Sequence, residues 1–111
     1  MDTIKSKSQI SNLFLQGRRI NTPQITLIVL PQQDRASESG GRVAFIAGKK
    51  LGNAVWRNGA KRRMREVCRL SGGPWNGFDV IFLARRHVLK EDFQKEISQV
   101  KEASGKFFFK E

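Results

Sequence analysis

The stretch Lys49–Arg69, KKLGNAVWRNGAKRRMREVCR, decides how this chain folds and what it meets. It holds eight Lys/Arg residues and one acid, Glu66, a formal +7 of the chain's +11. Asn53 is a good N-cap for a helix reaching about Leu70, and Ser71-Gly72-Gly73-Pro74 stops that helix. At roughly 100° per residue, Arg57, Asn58, Lys61, Arg62, Arg65 and Arg69 fall within an arc of about 140°. Trp56, Ala60, Met64, Val67 and Leu70 occupy the opposing arc. Arg63 falls among the apolar positions and has to snorkel, and Cys68 sits on the border. The pattern predicts a helix that packs by one face and shows guanidinium groups on the other.

A merely solvated charged face is the competing reading, and two features weaken it. Arg57, Lys61, Arg65 and Arg69 stand at i, i+4 spacing, so their like charges repel and destabilise the isolated helix. Arginine also outnumbers lysine here, and its planar fork suits phosphate and base edges. Charge this concentrated points to a polyanion partner, with RNA the expected one. Gly48-Lys49-Lys50-Leu51-Gly52, just upstream, lacks the GxxxxGK[ST] spacing of a nucleotide-hydrolysing phosphate loop. It reads instead as a tight turn presenting two lysines beside a helix N-terminus.

Outward from this stretch, Ser8 is placed to cap a short helix with Ile10, Leu13 and Phe14 at i, i+3, i+4, and Gly17 to end it at C′. Arg18–Asn21 is read as a short strand. Ile25–Leu30 and Arg42–Ala47 are strands separated by a polar loop over Gln32–Gly41. Phe78–Arg85 is nearly continuous in apolar character, which marks a central strand. A last helix is expected from about Lys90 to Ala103, with Phe93, Ile97 and Val100 at i, i+4, i+7. The order is α-β-β-β-α-β-α, which predicts an α+β sandwich with its helices on one face of a four-stranded sheet.

The 111 residues make one domain, 1–111, long enough to bury a core without staples. Cys68 is the only cysteine and His87 the only histidine, so neither an internal disulfide nor a four-ligand zinc site is possible. A reducing cytosol suits that composition, and a cytoplasmic location is expected. The first residues, MDTIKSKSQIS, lack an apolar h-region, so no signal peptide is expected. The longest apolar run, Val80–Ala84, is far too short to span a bilayer, and no membrane partner is expected. A protein nuclease would need clustered carboxylates to hold metal ions. Here Asp2, Asp34, Glu38, Glu66, Asp79, Glu91, Asp92, Glu96, Glu102 and Glu111 are scattered, so neither a catalytic residue nor a metal ligand is assigned. Asp79 reads as a structural anchor, His87 as an exposed loop residue, Cys68 as a small border or core residue, and Trp56 as packing. The roles of Trp75 and of Phe107–Phe109 stay open.

Lys50 through Glu66 contain, complete, the string K-x-G-N-A-V-x-R-N-x-x-K-R-x-x-R-E. It resembles the signature of the bacterial ribonuclease P protein subunit. The resemblance extends to Phe-x-x-Gly at Phe14–Gly17, the Arg-Val-Ala-Phe strand before the lysines, and Asp79–Arg85 after the helix. It covers the chain from about Ile4 to Val100. It implies an α-β-β-β-α-β-α sandwich with a four-stranded sheet and a left-handed crossover joining two parallel strands, against the usual handedness.

The resemblance also implies a function. The protein assists a catalytic RNA that removes the 5′ leader from precursor tRNA, with hydrolysis carried by Mg²⁺ held on that RNA and no cofactor or obligate partner protein of its own. It implies RNA binding through an Arg-Asn-Arg helix, hence Arg57, Asn58, Lys61, Arg62, Arg65 and Arg69. It implies a leader cleft between the sheet and the first helix. That cleft is expected to hold Ile10, Phe14, Ile28 and Phe45, with Lys49, Lys50 and Arg85 near the leader phosphates. Ala54 and Val55 are expected to pack, and Glu66 to pair within its helix with Arg62 or Arg69. Many members carry an aromatic where this chain has Ile10 and Ile28, so leader binding here is expected to rely more on charge than on stacking. Two rivals are a general RNA-binding protein, which the Lys50–Glu66 string opposes, and a protein nuclease, which the missing carboxylate cluster opposes.

Overall fold

Residues 3–32 and 40–108 are described by a computed structural model, with side chains through Lys106. The loop expected over Gln32–Gly41 falls mostly outside the described residues, as do Phe109 and the side chains of Phe107 and Phe108. The elements are α1 (Lys7–Gln16), β1 (Arg18–Asn21), β2 (Ile25–Pro31), β3 (Arg42–Ile46), a 3-10 turn (Lys49–Leu51), α2 (Ala54–Leu70), β4 (Phe78–Ala84) and α3 (Phe93–Phe108). The four strands form one sheet in the order β1-β2-β4-β3. β2 pairs antiparallel with both β1 and β4, while β3 and β4 are parallel. A parallel pair cannot be closed by a hairpin, and α2 is the crossover between its strands. The α+β order is the expected one.

The helices lie on both faces of the sheet, not on one as expected. Ile25, Leu27 and Val29 of β2, Val43 of β3, and Val80 and Phe82 of β4 pack in one cluster with Ala60, Met64, Val67 and Cys68 of α2 and Val100 of α3. Ile28, Ala44 and Ile81, the alternate residues, form a second cluster with Leu13 of α1 and with Ile4, which precedes that helix. Side chains on a strand alternate between faces, so a strand buried on both faces reads as an unbroken apolar run. Residues 25–29 of β2 and 79–82 of β4 are all buried. Only a helix on each face satisfies both runs.

Local chemistry sets the helix ends. Ser6, rather than Ser8, caps α1, accepting a hydrogen bond from the Gln9 N–H at 3.3 Å. Gly17 ends α1 in an extended rather than left-handed conformation, and its N–H donates to the Leu13 carbonyl at 2.7 Å. Glycine is needed there because a Cβ would lie 2.4 Å from the Leu13 carbonyl oxygen and 2.5 Å from Ile28 Cγ2. The chain thus lays α1 directly on the sheet. Asn53 caps α2 as expected, its Oδ1 accepting from the Trp56 N–H at 2.9 Å. α3 begins at Phe93 instead of Lys90. Asp92 caps it, accepting from the Gln94 N–H at 2.8 Å, while residues 86–90 form turns. Asp79 anchors the top of the sheet, where Arg42 Nε and Nη2 donate to its two oxygens at 3.0 and 2.7 Å and Gln32 adds a third bond at 3.0 Å. Trp75 is buried and stacks on Phe82, with centroids 6.1 Å apart and planes at 5°.

Candidate nucleic-acid interface

α2 sits on the sheet through Ala60, Met64, Val67 and Cys68, all with no exposed surface. The buried arc is therefore turned by roughly 45° about the helix axis from the arc that hydropathy suggests. Cys68, expected on the border, is core. Leu70, expected in the apolar arc, is 41% exposed. Arg57 and Lys61 are half-buried, and Arg57 Nε is buried without a hydrogen-bond partner among the described residues. Asn58, Arg62, Arg65 and Arg69 are exposed. The outward ridge is thus centred on Arg62.

These cations are not equivalent. Arg69 is committed to Glu66 by a 2.7 Å ion pair one turn back, the intrahelical pairing expected of Glu66. The hydrogen bond from Arg69 holds the Glu66 carboxyl below its ordinary value. Arg65 lies over the Phe45 ring, 5.4 Å from its centroid, so its guanidinium is oriented by the sheet edge beneath it. Among the described residues no carboxylate pairs with Arg57, Lys61, Arg62 or Arg65. Four cations without partner acids on one helix leave a positive ridge that a polyanion can neutralise.

Arg63 departs from expectation. Rather than snorkelling to water, it turns to α3, donating from Nε to Glu96 Oε1 at 3.1 Å and from Nη2 to the Glu91 carbonyl. Its guanidinium also lies 5.2 Å from the Phe93 ring centroid. Burial, outweighing Arg63, pushes the Glu96 carboxyl above its ordinary value. Ala54 and Val55, expected to pack, are both exposed, Val55 at 81%.

The second expected surface lies on the α1 face, and the structure divides its residues. Ile10 and Phe14 are half-buried on α1 and pack against this face. Ile28 is completely buried beneath α1, a floor with no surface to offer a base. Phe45 is not in this cleft at all. It shares its strand face with Val43, packs on Phe82 with centroids 5.3 Å apart, and lies on the α2 side of the sheet. The half-buried apolar strand residues that do share the α1 face are Leu30 of β2, Ile46 of β3 and Leu83 of β4. Their parity with Ile28, Ala44 and Ile81 was the available signal, but it becomes readable only once the strand register is known.

Cations stand on β1 and at the shared C-terminal end of the parallel strands β3 and β4. Lys49 and Lys50 are exposed on the 3-10 turn that follows β3. Arg85 is exposed at the end of β4, held by an Nη1 bond to the Thr22 carbonyl at 2.8 Å. Arg19 of β1 lies over Phe14, 5.7 Å from its ring centroid, a cation at the cleft that sequence reasoning missed. Among the described residues no three His, Cys, Asp or Glu side chains converge to hold a metal ion. No helix there is long and apolar enough to cross a membrane.

Comparison with known proteins agrees with this arrangement. A family model, Ribonuclease P, matches residues 1–107. The chain is 39% identical over 94 residues to the ribonuclease P protein component of Natranaerobius thermophilus, covering 84% of this chain and 78% of that one. It is 36% identical over 103 residues to that of Symbiobacterium thermophilum, covering 89% and 84%. Its fold is similar to that of the solved RNase P protein of Thermotoga maritima, with a TM-score of 0.74 at 19% identity over 93% of this chain and 94% of that one. A Staphylococcus aureus RNase P protein gives 0.73 at 22%, over 92% and 91%. An α+β domain with a cationic crossover helix defines an RNA-associating class of protein. Within that class, this chain belongs to the ribonuclease P protein family, the protein subunit of the tRNA-processing ribonucleoprotein endoribonuclease.

Proposed function

We propose that the α2 ridge binds the catalytic RNA of ribonuclease P while the α1 face, rimmed by cations, takes the 5′ leader of precursor tRNA in the cytoplasm. The observation that carries this reading is the set of α2 cations, Arg57, Lys61, Arg62 and Arg65, without partner acids among the described residues. Polyanion binding relieves their mutual repulsion and releases counterions from the RNA. Asn58 adds a donor and an acceptor on the same side.

The leader surface uses Ile10, Phe14, Ile46 and Leu83 as an apolar bed and Lys49, Lys50, Arg19 and Arg85 as phosphate partners. Phe14 is the single aromatic of that bed, and stacking on one base contributes about 1–3 kcal/mol. Charge therefore supplies more of the leader affinity than stacking does. In this reading Mg²⁺ is held by the RNA subunit. The protein's part is to position the leader relative to that RNA.

The two surfaces can be separated experimentally. Arg62→Ala weakens binding to the RNA subunit. Arg85→Ala leaves that binding intact and weakens holoenzyme affinity for precursor tRNA but not for leaderless tRNA. If Arg85→Ala weakens RNA-subunit binding, or lowers affinity for both tRNA forms equally, the assignment of the α1 face is wrong.

A further inference from the structure

The outward ridge of α2 is interrupted by a patch that carries no charge. Val55 is 81% exposed on the first turn of α2, and Gly59 lies one turn further along the same side. Neither residue is explained by the fold. A β-branched valine in solvent adds little to a helix, and no described residue covers it. An interior glycine weakens a helix, yet a Cβ at Gly59 would meet only Leu89 Cδ1 at 3.5 Å, an ordinary contact. Alanine would therefore fit. This contrasts with Gly52, where a Cβ would lie 2.9 Å from the Trp56 ring, and with Gly17.

Exposed Asn58 and Arg62 flank the patch, and exposed Lys49 and Lys50 precede the helix. An exposed apolar residue and a half-exposed stretch of helix backbone beside Leu89, set among cations, match one kind of occupant. An RNA nucleotide presents the C–H side of its ribose and the flat face of its base within a polyanionic chain. The surrounding cations attract a polyanion and give a neutral or basic protein no such gain, which favours the nucleic acid.

We infer that Val55 and Gly59 form an apolar notch on α2 in which the ribose C–H side and base face of one nucleotide of the catalytic RNA are seated, Val55 by van der Waals contact and Gly59 by letting the strand approach the helix backbone. This rests on the reading of α2 as the face for the catalytic RNA. The notch fixes the register of the RNA along the ridge, while Arg62 and its neighbours supply the long-range attraction. It makes no phosphate contact, so it contributes to affinity without contributing to counterion release.

That distinction is the test. Binding of a bacterial ribonuclease P RNA is titrated at several salt concentrations for the full-length wild type and for Val55→Ser, Gly59→Ala and Arg62→Ala, and the melting temperature of each is recorded. Val55→Ser and Gly59→Ala each weaken binding by about fivefold or more at fixed salt, with log K against log salt keeping its wild-type slope. Val55→Ser leaves the melting temperature unchanged and Gly59→Ala leaves it equal or higher. Arg62→Ala weakens binding and flattens the slope. The inference is overturned if both notch variants bind within twofold of wild type, if they change the slope as Arg62→Ala does, or if Val55→Ser lowers the melting temperature. If Arg62→Ala also leaves binding and slope unchanged, the RNA-face reading of α2 fails with it. A loss confined to Arg62→Ala refutes the notch alone.

Discussion

Arg63 Nε donates to Glu96 Oε1 at 3.1 Å, and this pair ties α2 to α3 across the one face of the sheet that they share. Glu96 has no exposed side-chain surface, whereas Arg63 retains 21%. The arginine lies within the Lys50–Glu66 string, yet it faces the protein rather than RNA. It thereby orients the helix that carries the cations proposed to meet RNA.

Removing one partner of such a pair strands the other in a poorly solvated place, and the cost exceeds the net value of the pair. Glu96→Ala is expected to destabilise the fold by about 3 kcal/mol. Urea denaturation monitored by Trp75 fluorescence measures this. A change below about 0.5 kcal/mol would show that the pair is solvated and structurally idle.

The same carboxyl gives a pH signature. Its surroundings are Arg63, which favours ionisation, and Glu91 and Asp92, which oppose it together with burial. Burial dominates, so the folded value lies above the ordinary 4.5. A raised value means that the fold binds this proton more tightly than the unfolded chain does. The stabilisation is complete below 4.5 and is lost as pH rises through the folded value. Glu96→Gln, fixed in the neutral form, lacks that loss. The stability of the wild type relative to Glu96→Gln should therefore fall between pH 4 and pH 7. A relative stability that rises over that interval would reverse the assignment.

Cys68 offers a chemical check on how α2 is seated. It is fully buried against the sheet, and burial pushes its thiol up to about 12. The thiolate is the reactive form, so the folded protein should resist a thiol-specific reagent at pH 8 and react promptly once unfolded in urea. Fast labelling of the native protein would mean that α2 presents a different face to the sheet, and the placement of Arg62 as outermost would fall with it.

Much of this architecture is legible in the residues themselves. Asn53 as the α2 cap, the Gly17 stop, and the apolar runs of β2 and β4 are local signals, and each is found where local chemistry puts it. The rotation of α2 was not legible. Hydropathy ranks Leu70 above Cys68 for burial, but Leu70 is 41% exposed and Cys68 is fully buried. Cys68 instead sits against Gly73, where a Cβ would come within 2.6 Å of its sulfur. Arg63 illustrates the same limit, because its partner Glu96 is 33 residues away and on another helix. The cleft suffered most. Assigning Phe45 to it required the facing of β3, which its parallel register with β4 determines and no local pattern reveals. Residues chosen for their type (Ile28, Phe45) proved to be core or on the far face, while Ile46 and Leu83 hold the positions.

The central claim is that this chain acts only as the protein half of a ribonucleoprotein. Precursor tRNA incubated with Mg²⁺ at near-physiological salt, with the protein alone, a bacterial ribonuclease P RNA alone, and both together, tests it most directly. The account predicts no cleavage by the protein alone and faster leader removal with both than with the RNA alone. Cleavage by the protein alone, or an RNA reaction that the protein leaves unchanged, would contradict it.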